Sequence, residues 1–482
     1  MELIIPLDPQ GKKPLYEQIY RHIKTEIRNG NLKPQMRLPS TRRLAENLKV
    51  SRSTTQLAYE QLVSEGYLEA VPRKGYFPAR LEGLVAPVET KGADPAEPGA
   101  EFGREGTEGV FGERSGGAYP ILADFSPAGI DLENFPFSAW RRISRSVLKE
   151  EERDMFLKGD PQGDLSLRKA IRDYLHTARG VNCSPAQIII GAGNEYLLML
   201  LSQLLGQKTG IAMENPTYGQ AFRVFSAMGH RVFPVGMDQS GFLVSELSEL
   251  SAGAAYVMPS HQFPMGIVMP ARRRQELLSW AQAFPGRYLI EDDYDSEFRY
   301  KGKPVPALQG MDRGQRVIYM GTFSKAIAPA IRVGYMVLPQ PLLERYRESA
   351  RFYSSTVSRV DQRILTRFIA EGYFERHLNR MRERYKGKHD LLLSLLRPLE
   401  ARFEIQGEYA GLHVLLKGKA GQTEQELVSR AAKAGVRIYG LSGFFMDWTD
   451  HRETGTVLLG YGGLTEEEIR TGAGLLLKIM GE

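Results

Sequence analysis

Apolar positions recur along this chain with different periods, and each change of period marks a change of architecture. In PLYEQIYRHIKTEIRN, Pro14 to Asn29, Leu15, Ile19, Ile23 and Ile27 stand four residues apart, which predicts an amphipathic helix opened by Pro14 and closed before Gly30. Ser40 is placed to cap a short helix in LPSTRRLAENLKV, Leu38 to Val50. Ser51 is placed to cap a longer one in SRSTTQLAYEQLVSEGYL, Ser51 to Leu68, with Leu57, Ala58, Leu62 and Tyr59 on its core face. A basic hairpin follows, Tyr67 to Arg80, turning at Arg73, Lys74 and Gly75. Three helices and a hairpin within the first 80 residues predict a winged helix-turn-helix.

From about Ile121 short apolar runs alternate with helical patterns: IIIGAG, NEYLLMLLSQLLG, GIAMENPTYGQAF, AAYVMPSHQFP, RYLIEDDYD and VIYMGTFSK. Alternation of this kind predicts a mainly parallel sheet covered by helices. After Pro339 the pattern becomes a long helical region, Leu342 to Leu396. The strands GLHVLLKG, VRIYGLS and TVLLGYGG follow, then a last helix opening at Thr465 with Glu466, Glu467 and Glu468 in its first turn. The fold class expected is multidomain: a winged helix-turn-helix at residues 1–80, a linker at 81–120, and an α/β domain at 121–482. That domain has a large lobe at about 150–340 and a smaller α+β lobe at about 341–482.

Charge sharpens this division. Residues 1–80 hold 14 Lys+Arg against 8 Asp+Glu, and residues 81–120 hold 3 against 8, while the whole chain carries only +6. A basic head of that kind points to nucleic acid. The linker has nine glycines and four prolines in 40 positions and no hydrophobic period, so it is expected to be flexible. At 5 to 6 Å times the square root of its length it would reach roughly 35 Å. With 42% hydrophobic and 25% charged residues, no 18-residue apolar run and no basic signal-type start, the protein is expected to be soluble and cytoplasmic, without a membrane partner. The single cysteine, Cys183, excludes an internal disulfide and a cysteine metal cluster, and the eight histidines show no HxxxH or HxH pairing, so no metal is expected.

Candidate chemistry converges on two strand ends. Val317 to Met320 reads as a buried strand that breaks at Gly321 into the turn Thr322, Phe323, Ser324, Lys325. About 30 residues upstream, RYLIEDDYDSEF carries Glu291, Asp292, Asp293 and Tyr294 to the end of another strand. In an open α/β sheet the ligand crevice lies at the carboxyl ends of the strands, so acid, tyrosine and lysine can meet there. Pyridoxal 5'-phosphate (PLP) requires three such groups. An amine holds its aldehyde as a Schiff base, a carboxylate faces the pyridinium nitrogen, and a donor faces the phenolic oxygen. Lys325, Asp292 and Tyr294 supply them. The loop GAGNEYLLML, Gly191 to Leu200, follows a strand and opens a helix, where backbone N–H groups can bind an anion.

TFSKAIAPAIRVGY, Thr322 to Tyr335, closely resembles the Schiff-base segment of class I aminotransferases of fold type I. EDDYDSEF, Glu291 to Phe298, is similar to the variant carried by the MocR/GabR-type branch of GntR transcription regulators. LPSTRRLAENLKVSRSTTQLAYEQLVSEGYL resembles the GntR DNA-binding domain. The resemblance covers nearly the whole chain except the linker. For the head it implies DNA contacts by Arg42, Arg52, Ser53 and Thr54 and by the wing at Arg73, Lys74 and Gly75. Gln56 stands where some relatives carry another arginine.

For the large domain the resemblance assigns the cofactor phosphate to Ala192, Gly193, Asn194, Thr322 and Arg332, and stacking on the pyridine to Tyr218. Phe263, in PSHQFPMG, stands in place of an asparagine that would bond the phenolic oxygen, leaving that bond to Tyr294, with Ser260, His261 or Gln262 as substitutes. Two arginines that bind carboxylates in the family are absent, since Gly463 and Gln220 occupy their positions. Gamma-aminobutyrate is therefore not the expected ligand; Arg351, Arg359 and Arg437 remain as candidates to rebuild a carboxylate site. The expected protein is a homodimer with exchanged heads that binds a double-stranded DNA operator and senses a small amine, an amino acid or PLP itself through an aldimine at Lys325. The alternative is a working aminotransferase that carries a DNA-binding head; the missing arginines argue against efficient turnover.

Overall fold

The computed structural model describes the chain apart from residues 1, 2, 4, 9–12, 35, 66, 72–73, 80–119, 301–305, 420, 447–453 and 482, and it separates into two units, 1–102 and 103–482. The predicted linker lies, except for its last residue, outside the described residues, and so does Arg73.

In the first unit, helices α1 (Leu15–Arg28), α2 (Thr41–Leu48) and α3 (Arg52–Ser64) precede an antiparallel hairpin of β1 (Leu68–Val71) and β2 (Gly75–Pro78). Both expected serine caps are present: Ser40 Oγ accepts the Arg43 N–H and Ser51 Oγ the Thr54 N–H, each at 3.2 Å. Ile19, Ile23, Leu44, Ala58, Tyr59 and Leu62 form the core. Leu57 was expected there, but it is 53% exposed. The buried positions of α3 are Thr55, Ala58, Tyr59 and Leu62, an i, i+3, i+4, i+7 stripe that leaves Leu57 out of phase. Two polar groups lock the angle between α2 and α3. The buried Thr55 hydroxyl donates to the Thr41 carbonyl (2.8 Å), and the Tyr59 hydroxyl donates to the Pro39 carbonyl (3.0 Å).

The second unit is built on a seven-stranded sheet: β3 (Ile188–Gly191), β4 (Gly210–Glu214), β5 (Val232–Val235), β6 (Ala252–Val257), β7 (Tyr288–Asp293), β8 (Val317–Thr322) and β9 (Gly334–Val337), in the order β3-β9-β8-β7-β6-β4-β5. All neighbouring pairs are parallel except those made by β9. Both faces are covered, and the strands show it residue by residue. Ile189 joins one core and Ile188 and Ile190 another, while Tyr256 is parted in the same way from Ala255 and Val257. The predicted helical region after Pro339 consists of three helices, Gln340–Ser349, Arg359–Ala370 and Tyr373–Leu396. The first two bury Leu342, Leu343, Ile364 and Leu365 in the cores that flank the large sheet.

A second sheet, antiparallel, orders β10 (Phe403–Gln406), β11 (His413–Gly418), β12 (Tyr439–Gly440) and β13 (Thr456–Gly460) as β10-β11-β13-β12. Strand β10 was not anticipated: FEIQ is too short to show a period. The segment after the linker also belongs here. Ala123–Asp124 pairs in parallel with Val436–Arg437, and Phe125 and Ile130 enter the core of this lobe. Its close approach demands glycine. A Cβ on Gly460 would lie 2.2 Å from the Ser126 carbonyl oxygen, and one on Gly462 would lie 2.6 Å from that of Gly129.

A buried ion pair secures the same segment. Lys388 Nζ, on the helix Tyr373–Leu396, lies 2.9 Å from Asp131 Oδ2, with side-chain exposures of 10% and 5%. Burial by itself would raise the Asp131 carboxyl, yet the bonds from Asn134 and Lys388 hold it below its usual value. A lowered folded-state pKa stabilises the fold above the unfolded value, about 3.9, and that contribution is lost as pH falls through the folded one. Lys388→Met is therefore expected to destabilise the second unit by about 3 kcal/mol at neutral pH, read by urea unfolding, and to flatten the loss of stability below about pH 4.

Candidate functional site

Strand β7 distributes its acids by the two-residue period of a strand. Glu291 and Asp293 turn to one face and are consumed structurally. Glu291 accepts the backbone N–H groups of Leu308 (2.7 Å) and Gln309 (2.8 Å), while Asp293 pairs with Arg179 (2.8 Å) and accepts the Tyr319 hydroxyl (2.6 Å). Asp292, 2% exposed, turns to the other face and lines a cavity of about 230 Å³. Its Oδ2 accepts the Asn194 amide (3.0 Å) and the Tyr256 hydroxyl. Its Oδ1 is buried with no hydrogen-bond partner among the described residues. Burial pushes this carboxyl up to about 6 in spite of the two donors.

Lys325 lies three residues beyond β8 and lines the same cavity, with its Nζ donating to the Pro127 carbonyl at 2.9 Å. Burial lowers its pKa to about 8, against the opposing pull of Asp295. A minor fraction of the amine, about a tenth at pH 7, is thus free of its proton and able to act as a nucleophile, far more than at an ordinary lysine. Tyr294 also lines the cavity, its hydroxyl 2.9 Å from His261 Nδ1. Tyr218 stands at the cap of the helix Gly219–Ala227, edge-on to Phe263 at 6.4 Å between ring centroids. Of the three candidates to replace the asparagine, only His261 touches Tyr294. The Ser260 hydroxyl accepts from Arg179 (2.6 Å), and the Gln262 amide is spent on the Pro216 and Phe263 carbonyls.

The corner expected to take an anion lies at the start of the helix Asn194–Leu205, whose first amides have no intrahelical acceptor. Two of the expected donors there already have acceptors: the Ala192 N–H bonds Thr356 Oγ1 (3.0 Å) and the Gly193 N–H bonds the Gly191 carbonyl (2.9 Å). The Asn194 side chain is turned to Asp292. Thr322 Oγ1 and Ser324 Oγ lie 3.0 Å apart, and the Arg332 guanidinium, paired with Glu195 at 2.7 Å, completes the corner. The carboxylate-binding candidates lie elsewhere. Arg359 pairs with Asp164 (2.9 Å), Arg437 lies 3.5 Å from Asp124, and neither they nor the exposed Arg351 line this cavity. At Gly463 a Cβ would lie 3.1 Å from Gly129 Cα, so the chain there is packed backbone to backbone.

On the first unit Arg52 and Ser53 are exposed at the start of α3, and Ser51 Oγ lies 2.8 Å from Ser53 Oγ and 2.7 Å from Thr54 Oγ1. Arg42 projects from α2 with only an i,i+4 pair to Glu46. Lys74 lies in the turn before β2 and Gly75 opens the strand; Gly75 (φ +108) sits against Arg37, an exposed arginine that sequence reasoning passed over because it lies outside any helical period. Tyr256 was likewise passed over. Its only signal was an aromatic residue on the neighbouring strand, paired with Ile290 in register.

The aminotransferase class I and II family model matches residues 131–472, and the model of the gntR family of bacterial regulatory proteins matches residues 15–77. A solved multiple-substrate aminotransferase from Thermococcus profundus superposes with a TM-score of 0.67 at 25% identity, covering 75% of this chain and 91% of that one. Fold and site thus define an aminotransferase-type domain joined to a winged helix-turn-helix. Two relatives align with this chain along nearly their whole lengths. The HTH-type regulator YhdI of Bacillus subtilis is 40% identical over 98% of this chain and 97% of its own, and the pyridoxine biosynthesis regulator PdxR of Corynebacterium glutamicum is 30% identical over 97% and 96%. The chain belongs to the MocR/GabR-type branch of the GntR family of transcription regulators.

That family and this site indicate pyridoxal 5'-phosphate as the cofactor, and the donor set fits it. The bare oxygen of Asp292 can meet a ring-nitrogen cation, the Lys325 amine can bond an aldehyde, and the helix start with Arg332 can take a phosphate. Gly193 is the test position. Its φ of +91 disfavours any side chain, and a Cβ would lie 2.4 Å from the Arg332 guanidinium. Gly193→Ala is expected to weaken PLP binding about tenfold, roughly 1.4 kcal/mol, in an equilibrium titration.

Proposed function

We propose that this protein regulates transcription by sensing a small amine, or PLP itself, at Lys325, with the first unit bound to double-stranded operator DNA. The observation that carries the reading is a single cavity that holds a buried amine lowered to about 8, a buried carboxylate oxygen without a partner, and an anion-accepting helix start. PLP supplies an aldehyde that an amine can hold and a ring that withdraws electrons. In this reading Lys325 anchors it, Asp292 neutralises its ring nitrogen, Tyr294 donates to its phenolic oxygen, Tyr218 packs on the ring, and Thr322, Arg332 and the helix start hold the phosphate.

The lining also bears on the effector. Glu195, Asp292 and Asp295 face Lys325 and Arg332, with Met258, Phe263 and Leu412 as apolar walls. Among the described residues the cavity lining offers a carboxylate no arginine besides Arg332, so an amine without a carboxylate is favoured over gamma-aminobutyrate. An effector that binds one arrangement of the protein more tightly than another changes how two DNA heads are held, and only that difference in affinity can do so. A homodimer with exchanged heads is the assembly proposed. Phe156, Leu157 and Phe352 of the second unit are each about 70% exposed, as a surface awaiting a second copy would be, and a dimer suits repeated half-sites.

Three measurements test the reading. Lys325→Ala is expected to abolish the visible absorption band of PLP-loaded protein and the labelling of this position by borohydride; a band that persisted would refute the anchor. Arg52→Ala is expected to weaken operator binding by about 1–3 kcal/mol, measured as a function of salt. Assays with amino donors and keto acids address catalysis. The same apparatus permits a half-reaction, and sustained turnover at ordinary enzyme rates would favour a working aminotransferase instead.

A further inference from the structure

We propose that His261, held by Asp295, is a positioning residue that aims the Tyr294 hydroxyl into the cavity. The inference rests on Tyr294 facing the cofactor, as proposed above. The imidazole is 2% exposed and sits in a slot made for it. A Cβ on Gly411 would lie 1.9 Å from its Cε1, and one on Gly266 would lie 3.5 Å from its Nε2. Its Nδ1 is 2.9 Å from Asp295 Oδ2, 3.2 Å from Oδ1 and 2.9 Å from the Tyr294 hydroxyl.

The roles at these three groups follow from what each can donate. A carboxylate only accepts, so the nitrogen facing it carries the proton and cannot take the phenol's. The other nitrogen, Nε2, is buried with no partner among the described residues, where an N–H would be an unsatisfied donor. Tyr294 is thus a second acceptor of the Nδ1–H, and its own proton has two destinations: Asp295 or an acceptor in the cavity. By bonding Asp295, His261 weakens the first destination and favours the second. The other ionisable groups lining the same cavity are Lys325, Asp292, His413 and Tyr218, with Glu195 and Arg332 paired to each other. His413 brings no charge. Burial, aided by His261, lowers its imidazole to about 3, and its Nε2 donates to the Pro264 carbonyl at 2.8 Å. Phe263 lines the cavity beside this cluster and offers no donor.

The test is a pH titration of the visible absorption of full-length, PLP-loaded protein. A donor aimed at an oxygen that gains charge in the alkaline form of the chromophore lowers the midpoint of that titration. Tyr294→Phe should therefore raise it, by about one unit. His261→Leu should shift it in the same sense, and His261→Asn, which keeps an N–H near the Nδ1 position, should restore most of the shift. In the Tyr294→Phe background, His261→Leu should add nothing. A His261→Leu shift that persists undiminished in that background, that His261→Asn does not relieve, or that is absent while Tyr294→Phe does shift the midpoint, overturns the proposal. A wild-type midpoint in Tyr294→Phe overturns instead the reading of Tyr294 as facing the cofactor. If His261→Leu fails to fold, His261→Gln replaces it and should shift the midpoint as leucine does, because its amide reaches the Nε2 position and not Nδ1.

Discussion

Asp292 sets the terms for the second unit. A carboxylate at 2% exposure with two donors on one oxygen and, among the described residues, none on the other is costly to ionise, and burial pushes its pKa up to about 6. A positive partner arriving at the bare oxygen removes that cost. The geometry needed to keep the oxygen bare is contributed by three elements: β7 carries the acid, β6 supplies Tyr256, and the helix Asn194–Leu205 supplies Asn194. β7 itself is central in the sheet, with parallel neighbours on both sides.

The neighbouring acids show why one word of sequence can serve two purposes. Glu291 and Asp293 flank Asp292 and project to the opposite face, where backbone amides bond both oxygens of Glu291 and Arg179 and Tyr319 bond Oδ2 of Asp293. These contacts fasten the chain near Leu308 and the helix end at Arg179 to the sheet. Past the strand, Tyr294 returns to the cavity with Asp295 behind it, through His261. Structural and functional acids thus alternate at the period of the strand.

The segment Ser126 to Gly129 links the lobes of the second unit. It lies against Gly460, Gly462 and Gly463 so closely that side chains are excluded, and its Pro127 carbonyl accepts the Lys325 ammonium. The amine therefore touches a stretch of chain that packs with the C-terminal core, while Lys325 itself belongs to the large sheet. Such a contact makes the position of the smaller lobe and the environment of the amine interdependent. It also gives a physical reason for glycine at position 463.

The chain's local patterns were enough to specify the elements that have a strong period and strong caps. These include the helices of the head, two of them with Ser40 and Ser51 at their starts, the strand that carries Asp292, the one that ends before Lys325, and the helix opening at Asn194. They also marked Lys325, Asp292 and Tyr294 as a set, because a cofactor's chemistry dictates residue types that sequence displays directly. The tertiary structure alone decided that Leu57 faces outward and that the helices after Pro339 divide between cores. It also decided that Asn194 bonds Asp292, and that His261, Asp295 and Tyr256 stand behind the visible set. The reason is physical. Periodicity and capping are properties of a few consecutive residues, whereas a hydrogen bond between positions 34 or 98 apart exists only once the sheet has brought distant strands together.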